Sequence, residues 1–317
     1  MKVRALGAAL LLAVGLFATP AAAEWPNKPI RIVVSFAAGG AADIWARLLA
    51  DPLSAALKQS VVIENRGGGG GMVAAQQVAR AEPDGYTILL GGLAPQILAP
   101  SVADNPGFDA LRDFSHIVYI GGPPLVWVVP PSSELHSVSD LIAAAKANKF
   151  SGYASSGVGT VGHLVVEYVA GQNGLRLTHI PYNTAAFADI IGGRVPMGSF
   201  TWGAALGQLQ GGTLRALAVT TETRRPEQPN VPTFKELGYD LVASTWFSLS
   251  GPKGMPKEIM DRLNQETLRI LQTPEIKKRL EQDAFDPKPL TPEQVEAFFA
   301  SEAQRWVPVA RAAMKKP

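Results

Sequence analysis

The sequence predicts an α/β protein divided into two domains, and three observations carry that expectation. Short β-rich apolar runs alternate with helical patterns, as in sheets that are mostly parallel and covered by helices. The chain, at 317 residues, is longer than one core usually supports. Midway, Gly121-Gly122-Pro123-Pro124 breaks the pattern before a second α/β set begins.

The chain opens with Lys2 and Arg4 ahead of an apolar run from Ala5 to Phe17, and Ala21-Ala22-Ala23 then offers a small-residue cleavage site before Glu24. Residues 1–23 read as a secretory signal peptide. The run of about 13 apolar residues falls short of the roughly 20 that a spanning helix needs. The sequence has no cysteine, which excludes a lipid-anchored cysteine and a disulfide framework. Removing the signal leaves 27 basic and 27 acidic residues. A mature chain without net charge argues against nucleic acid or a polybasic membrane patch as partner.

Strands are expected at Ile30–Phe36, Val61–Glu64, Thr87–Leu90 and Ile117–Ile120, and the first helix at Asp43–Leu57. Within it Leu49, Leu53 and Leu57 share one face, toward the sheet. Pro52 removes a backbone bond, so a kink is expected near Leu48. Five glycines, Gly67 to Gly71, precede a helix at Met72–Arg80, and Pro83-Asp84-Gly85 turns the chain into the next strand. Past the Gly-Pro break come a strand at Leu125–Val129 and a helix at Ser137–Asn148, where Ser137 and Asp140 have capping-box spacing. There follow Ser151–Ala154, Val161–Ala170, Thr178–Ile180, Ala186–Ile191 and Leu214–Thr220, and then a proline-rich loop at Arg225–Thr233. Trp246–Ser250 reads as a strand returning to the first domain. Helices at Pro256–Leu271, Pro274–Gln282 and Pro292 onward close the chain, the last two opened by Thr-Pro pairs in cap-then-first-turn order. The division is therefore residues 24–122 with 247–317 as one domain and 123–246 as the other.

A chain that crosses twice between two domains has its ligand cleft at the crossing, where loops at strand carboxyl ends converge. Two junctions suit a small carboxylate. In Ile30–Asp43 an apolar strand runs through small residues straight into a helix, aiming unpaired N–H groups at one point. In the second domain Ser155-Ser156-Gly157-Val158-Gly159-Thr160 does the same with added hydroxyls. Either loop alone could be only a turn and cap; their pairing across two domains favours capture and release of a ligand. The enzyme alternative is a secreted NAD-binding or hydrolytic protein using Gly157, Gly159 and Gly162, which spell G-x-G-x-x-G between a strand and a helix. Against it, Leu177-Thr178-His179-Ile180 has no carboxylate where the ribose would be held. No G-x-S-x-G elbow occurs, and histidines 116, 136, 163 and 179 lack metal-site spacing.

AAGGAADIWARLLA, VVIENRGGGGG, ARAEPDGYTILLGG, YASSGVGTVGHL, HIPYN, GGRVPM, LRALAVTTETRRPEQPNVPTFKELG and WFSLSGPKGMP occur in this order across the mature chain. Together they resemble the solute-binding proteins of tripartite tricarboxylate transporters, the TctC or Bug family. The resemblance implies a type II periplasmic binding-protein fold, two α/β domains with a ligand cleft between them. It implies a monomer in the periplasm that closes on a small organic acid, needs no cofactor or metal, and delivers the acid to membrane permease subunits. Carried over by position, the first loop contributes Ala38, Gly39, Gly40, Ala41 and Asp43, and Gly92 closes the third motif. The second loop contributes Ser155, Ser156, Gly157, Thr160 and His163, with Tyr182, Trp202 and Trp246 lining the cleft. Asp43 reads best as a helix cap that orders its loop, since a like charge would repel the ligand. His163, four residues before Glu167, is either a satisfied structural histidine or a ligand contact.

The sequence departs from the family pattern where Ala37-Ala38 and Ala42 replace the usual proline, glycine and hydroxyl, and where Tyr182-Asn183-Thr184 lacks a lysine. Ser199-Phe200-Thr201-Trp202 brings a tryptophan in place of an acidic segment. These changes point to a monocarboxylate or aromatic acid, unless Trp202 packs in the core. The two crossings, Gly121–Pro124 and Ser244–Ser250, are the expected hinge.

Overall fold

The computed structural model describes residues 25–149, 152–182 and 186–314. The expected signal peptide, residues 1–23, lies outside the described residues, as do Asn183 and Thr184. The first part of the chain contains β1 (Ile30–Val34), α1 (Ala41–Leu57), β2 (Val61–Asn65), α2 (Met72–Ala79) and β3 (Thr87–Gly92). A π-helical turn, Leu93–Leu98, and a short helix, α3 (Ala99–Val102), lead to β4 (Phe114–Gly121). The second set is β5 (Leu125–Val129), α4 (Val138–Lys146), β6 (Gly152–Ser155), α5 (Val161–Gln172), β7 (Thr178–Pro181), α6 (Phe187–Ile191), β8 (Gly198–Thr201), α7 (Trp202–Gln210) and β9 (Arg215–Val219). The chain then returns through β10 (Phe247–Pro252) and ends in α8 (Lys257–Leu271), α9 (Pro274–Gln282) and α10 (Pro292–Met314).

The strands form two five-stranded sheets, ordered β2-β1-β3-β10-β4 and β7-β6-β8-β5-β9. Each is mixed: β10 runs antiparallel to β3 and β4, and β5 runs antiparallel to β8 and β9. Continuous apolar runs give these strands two covered faces; every residue of β4, β5 and β10 is buried. Leu49, Leu53 and Leu57 of α1 are all buried, as their spacing predicts, and α1 runs through Pro52 as one helix of 17 residues. Ser137 caps α4, accepting the Asp140 N–H at 3.1 Å. Two elements in the second set are absent from the sequence reading, β8 and α7. Glycines at 198, 203 and 207 dilute both periodicities there.

Helix α10 is shared between the two halves. Its Val295 and Phe299 join a cluster with Tyr119 and Leu93 beside the first sheet, and its Ala310 joins the same cluster where Val166 and Val169 of α5 lie. The apolar interior is therefore continuous behind the two crossings.

Candidate functional site

Strand pairing decides where the two candidate loops lie. Because β1 is parallel to β3, and β10 antiparallel to both β3 and β4, the strands β1, β3 and β4 all end at the same end of the first sheet. The chain leaves that end through Gly122–Pro124. In the second sheet β5 begins opposite the carboxyl end of β8, with Leu125 paired to Thr201, and β6 is parallel to β8. The loops after β1 and β6 consequently both emerge at the ends that meet at the crossing. The two crossing segments are tied together: Pro124 bridges Ser244, and the Thr245 N–H donates to the Pro123 carbonyl at 2.9 Å. A Cβ on Gly122 would collide with the Thr245 carbonyl, so only glycine allows this approach.

In the first loop Ala38, Gly39, Gly40 and Ala41 are exposed. Gly40 is the residue that caps α1, with extended φ −79° and ψ 169° and no side-chain cap bond. Asp43 therefore stands at the third helical position and is not the N-cap; it reaches back and accepts the Gly39 N–H at 2.8 Å. Its carboxylate also accepts Arg47 Nε at 3.0 Å and Asn65 Nδ2 at 3.0 Å, and Asn65 holds the Phe36 carbonyl at 3.1 Å. The Arg47 bond, followed by the Gly39 N–H, pulls the buried Asp43 carboxyl down to about 2. A fixed negative charge thus orders the loop while Arg47 offsets it. The first helical bond runs from the Ile44 N–H to the Gly40 carbonyl at 3.0 Å, so the N–H groups of Ala41, Ala42 and Asp43 lie ahead of the ladder.

In the second loop no charge stands at the corresponding place. Ser155, at the end of β6, is fully buried; its Oγ accepts the Gly157 N–H at 3.3 Å and lies 2.7 Å from His179 Nε2. Thr160 caps α5: its Oγ donates to the Gly157 carbonyl at 2.8 Å and accepts the His163 N–H at 3.4 Å. His163 is buried behind the loop, where Nδ1 accepts the Gly159 N–H at 3.1 Å and the ring stacks on His179 at 4.1 Å. Its observed role is to order the loop. Ser156 is exposed at the lip, and the N–H groups of Val161 and Gly162 precede the helical ladder. Gly162 lets α5 lie close on β8, since a Cβ there would sit 2.7 Å from the Ser199 carbonyl.

The remaining candidates separate. Tyr182 stays with the second loop, its N–H donating to the Ser155 carbonyl at 2.9 Å, while its hydroxyl donates to Asp189 at 2.6 Å. Gly92 is not a ligand donor: its N–H goes to Gln96 Oε1 at 2.9 Å, and with φ +135° it leaves room for the Trp246 carbonyl. Trp202 is fully buried in the second-sheet core with Phe200 and Val126, so it does not line the cleft. Trp246 is buried too, packed on Tyr119, Phe298 and Phe299 with its indole N–H donating to Glu302 at 2.8 Å. An aromatic at the end of a strand has the same sequence signal on either face; here the side packed by α10 wins.

The G-x-G-x-x-G segment does join a strand to a helix, yet the next strand, β7, carries no carboxylate, and the Gly159 N–H is spent on His163. His116 is fully buried between Ser250 Oγ at 2.9 Å and the Ala110 carbonyl at 3.0 Å, and burial drives it down to about 3, so it stays neutral. Among the described residues no group of His, Asp and Glu is arranged to hold a metal ion.

The model of the tripartite tricarboxylate transporter receptor family matches residues 45–314. The chain belongs to that family. It is 35% identical to protein BugT of Bordetella pertussis over 314 residues, covering 95% of this chain and 96% of that one. A Rhodopseudomonas palustris protein solved with adipate superposes with a TM-score of 0.81 at 33% identity, covering 91% of this chain and 98% of the other. MatC from the same organism, solved with malate, gives a TM-score of 0.79 at 25% identity over 90% and 99%. This receptor therefore has the two-domain α/β fold of periplasmic solute-binding proteins, as the resemblance implies.

Proposed function

We propose that the chain captures a small organic carboxylate between the loops 37–43 and 155–163 and hands it to membrane permease subunits of a tripartite transporter. The observation that carries this reading is the pairing pattern, which brings one strand-to-helix junction from each sheet to the crossing, each with helix-leading N–H groups ahead of its ladder. Adipate and malate in two related structures support a carboxylate ligand. In this reading the donors are the backbone N–H groups of Ala41 and Val161, which precede their helical ladders, with the hydroxyl of Ser156, while Asp43 and His163 hold the loops from behind. The lobes are residues 24–122 with 247–317, and 123–246, turning about the two crossings; the receptor acts as a periplasmic monomer and catalyses nothing. With Trp202 in the core, preference for a monocarboxylate or aromatic acid rests on the exposed Ala37-Ala38 lip and on the missing lysine in Tyr182-Asn183-Thr184.

Calorimetry against acetate, benzoate, malate, adipate and citrate tests the reading. Micromolar or tighter binding of one class, weakened by placing a like charge at the lip in Ser156→Glu, is the expected result. Binding of NAD with no response to any carboxylate would overturn it.

A further inference from the structure

A cavity of about 550 Å³ lies away from the two loops. It opens at the other edge of the sheets, beside β4 and β9, behind the crossing segments. Its volume is within the range of about 300–1,000 Å³ usual for small-molecule sites. One wall is aromatic: Tyr119 lies 4.8 Å from Phe298 and 6.0 Å from Trp246, ring centre to ring centre. The rim is charged, with Arg224, Arg225, Lys288 and Arg305 against Glu222, Asp286 and Glu302.

Most of these charges are already engaged. Arg224 Nε donates to both carboxylate oxygens of Glu236, Arg225 is bidentate on Glu227, and Glu222 pairs with Lys235. Glu302 holds the Trp246 indole N–H. Lys288 and Arg305 have no acidic partner within ion-pair distance among the described residues. Lys288 Nζ sits 6.0 Å from the Tyr119 ring centre and 5.7 Å from that of Phe298, so the place a cationic guest would take over these rings is filled. The Tyr119 hydroxyl, pushed up by burial and then by Asp286, stays protonated. Beside the cavity, Gly121, at φ +97°, passes close to the backbone of Asp286, where a Cβ would lie 3.0 Å from the Asp286 carbonyl carbon.

We propose that this cavity is a second ligand site, for an organic anion with an apolar body: the anionic group between Lys288 and Arg305, the body on Tyr119, Trp246 and Phe298. The site stands apart from the two-loop reading and needs none of its residues.

Benzoate is the probe, and the readout is the fluorine resonance of Trp246 in protein labelled with 5-fluorotryptophan. The resonance is assigned from Trp246→Phe or, by elimination, from single substitutions at the other five tryptophans. Benzoate is expected to shift this resonance saturably, with the same midpoint in wild type and in Ser156→Glu, which repels carboxylates from the second loop. In Lys288→Glu and Arg305→Glu, both exposed positions, the midpoint should rise by about tenfold or more. No shift at Trp246, an unchanged midpoint in both charge reversals, or a shift abolished by Ser156→Glu would each overturn the proposal. A shift abolished by Ser156→Glu would assign the benzoate to the loops, and the other two outcomes leave carboxylate capture there untouched, since calorimetry reads it separately.

Discussion

The two loops reach one geometry by different chemistry. In the first, a carboxylate pinned by Arg47 and Asn65 draws back the Gly39 N–H; in the second, neutral partners, Ser155, Thr160 and His163, draw back the N–H groups of Gly157 and Gly159. Each loop sacrifices one or two backbone donors to hold the others in place. The difference teaches that a negative charge is tolerated beside an anion site when its lone pairs are filled and a cation lies four residues on. It also makes the loops separable, because only the first is held by a carboxylate.

Removing the charged anchor is the harshest way to break the comparison. Asp43→Ala deletes the acceptor of three donors in a buried position and should cost about 2–3 kcal/mol of stability, read by urea denaturation. A loss no larger than that of an exposed substitution would mean the network carries no weight. The same carboxylate gives an acid dependence. Its folded value, about 2, is depressed below the ordinary 3.8, so its stabilisation is fully present above pH 4 and is lost as pH falls from about 4 through about 2. Asp43→Asn should flatten the acid limb of a stability profile over that window, whereas Thr160→Ala, which removes no titratable group, should leave it as steep as in wild type.

Gly162→Ala tests the second loop by steric means. The added methyl meets a backbone carbonyl that cannot move aside, and about 2 kcal/mol of destabilisation is expected, with α5 pushed off β8. Thr160→Ala removes the cap and the bond to the Gly157 carbonyl and should cost about 1 kcal/mol, recovered largely by Thr160→Ser. Equal effects of the two alanine substitutions would show that the loop is held by its cap alone.

Both loops were legible in the sequence, because strand, small residues and helix follow one another within a dozen positions and no tertiary information is needed to see them. The buried strands other than β8 were legible for the same reason, as apolar runs between turn residues. Which way the two tryptophans face was not legible. Trp202 begins α7 and Trp246 precedes β10, and which way each ring turns is set by neighbours distant in sequence: Phe200 and Val126 for one, Glu302 and Phe298 of α10 for the other. Gly92 misled for a related reason. Its place in a family motif reflects the close passage of the Trp246 carbonyl, which is a contact between crossing segments and leaves its N–H to Gln96. Asp43 was read as a cap because α1 was expected to begin at residue 43, two positions late.

The central claim is that both loops close on the same carboxylate, and amide chemical shifts test it most directly. The protein, labelled with ¹⁵N, would be titrated with mono-, di-, tri- and aromatic carboxylates. One class should move the amides of Gly40 and Ala41 together with those of Gly157 and Val161, along one binding curve. Shifts confined to one loop, or two curves with different midpoints, would contradict a shared site at the crossing.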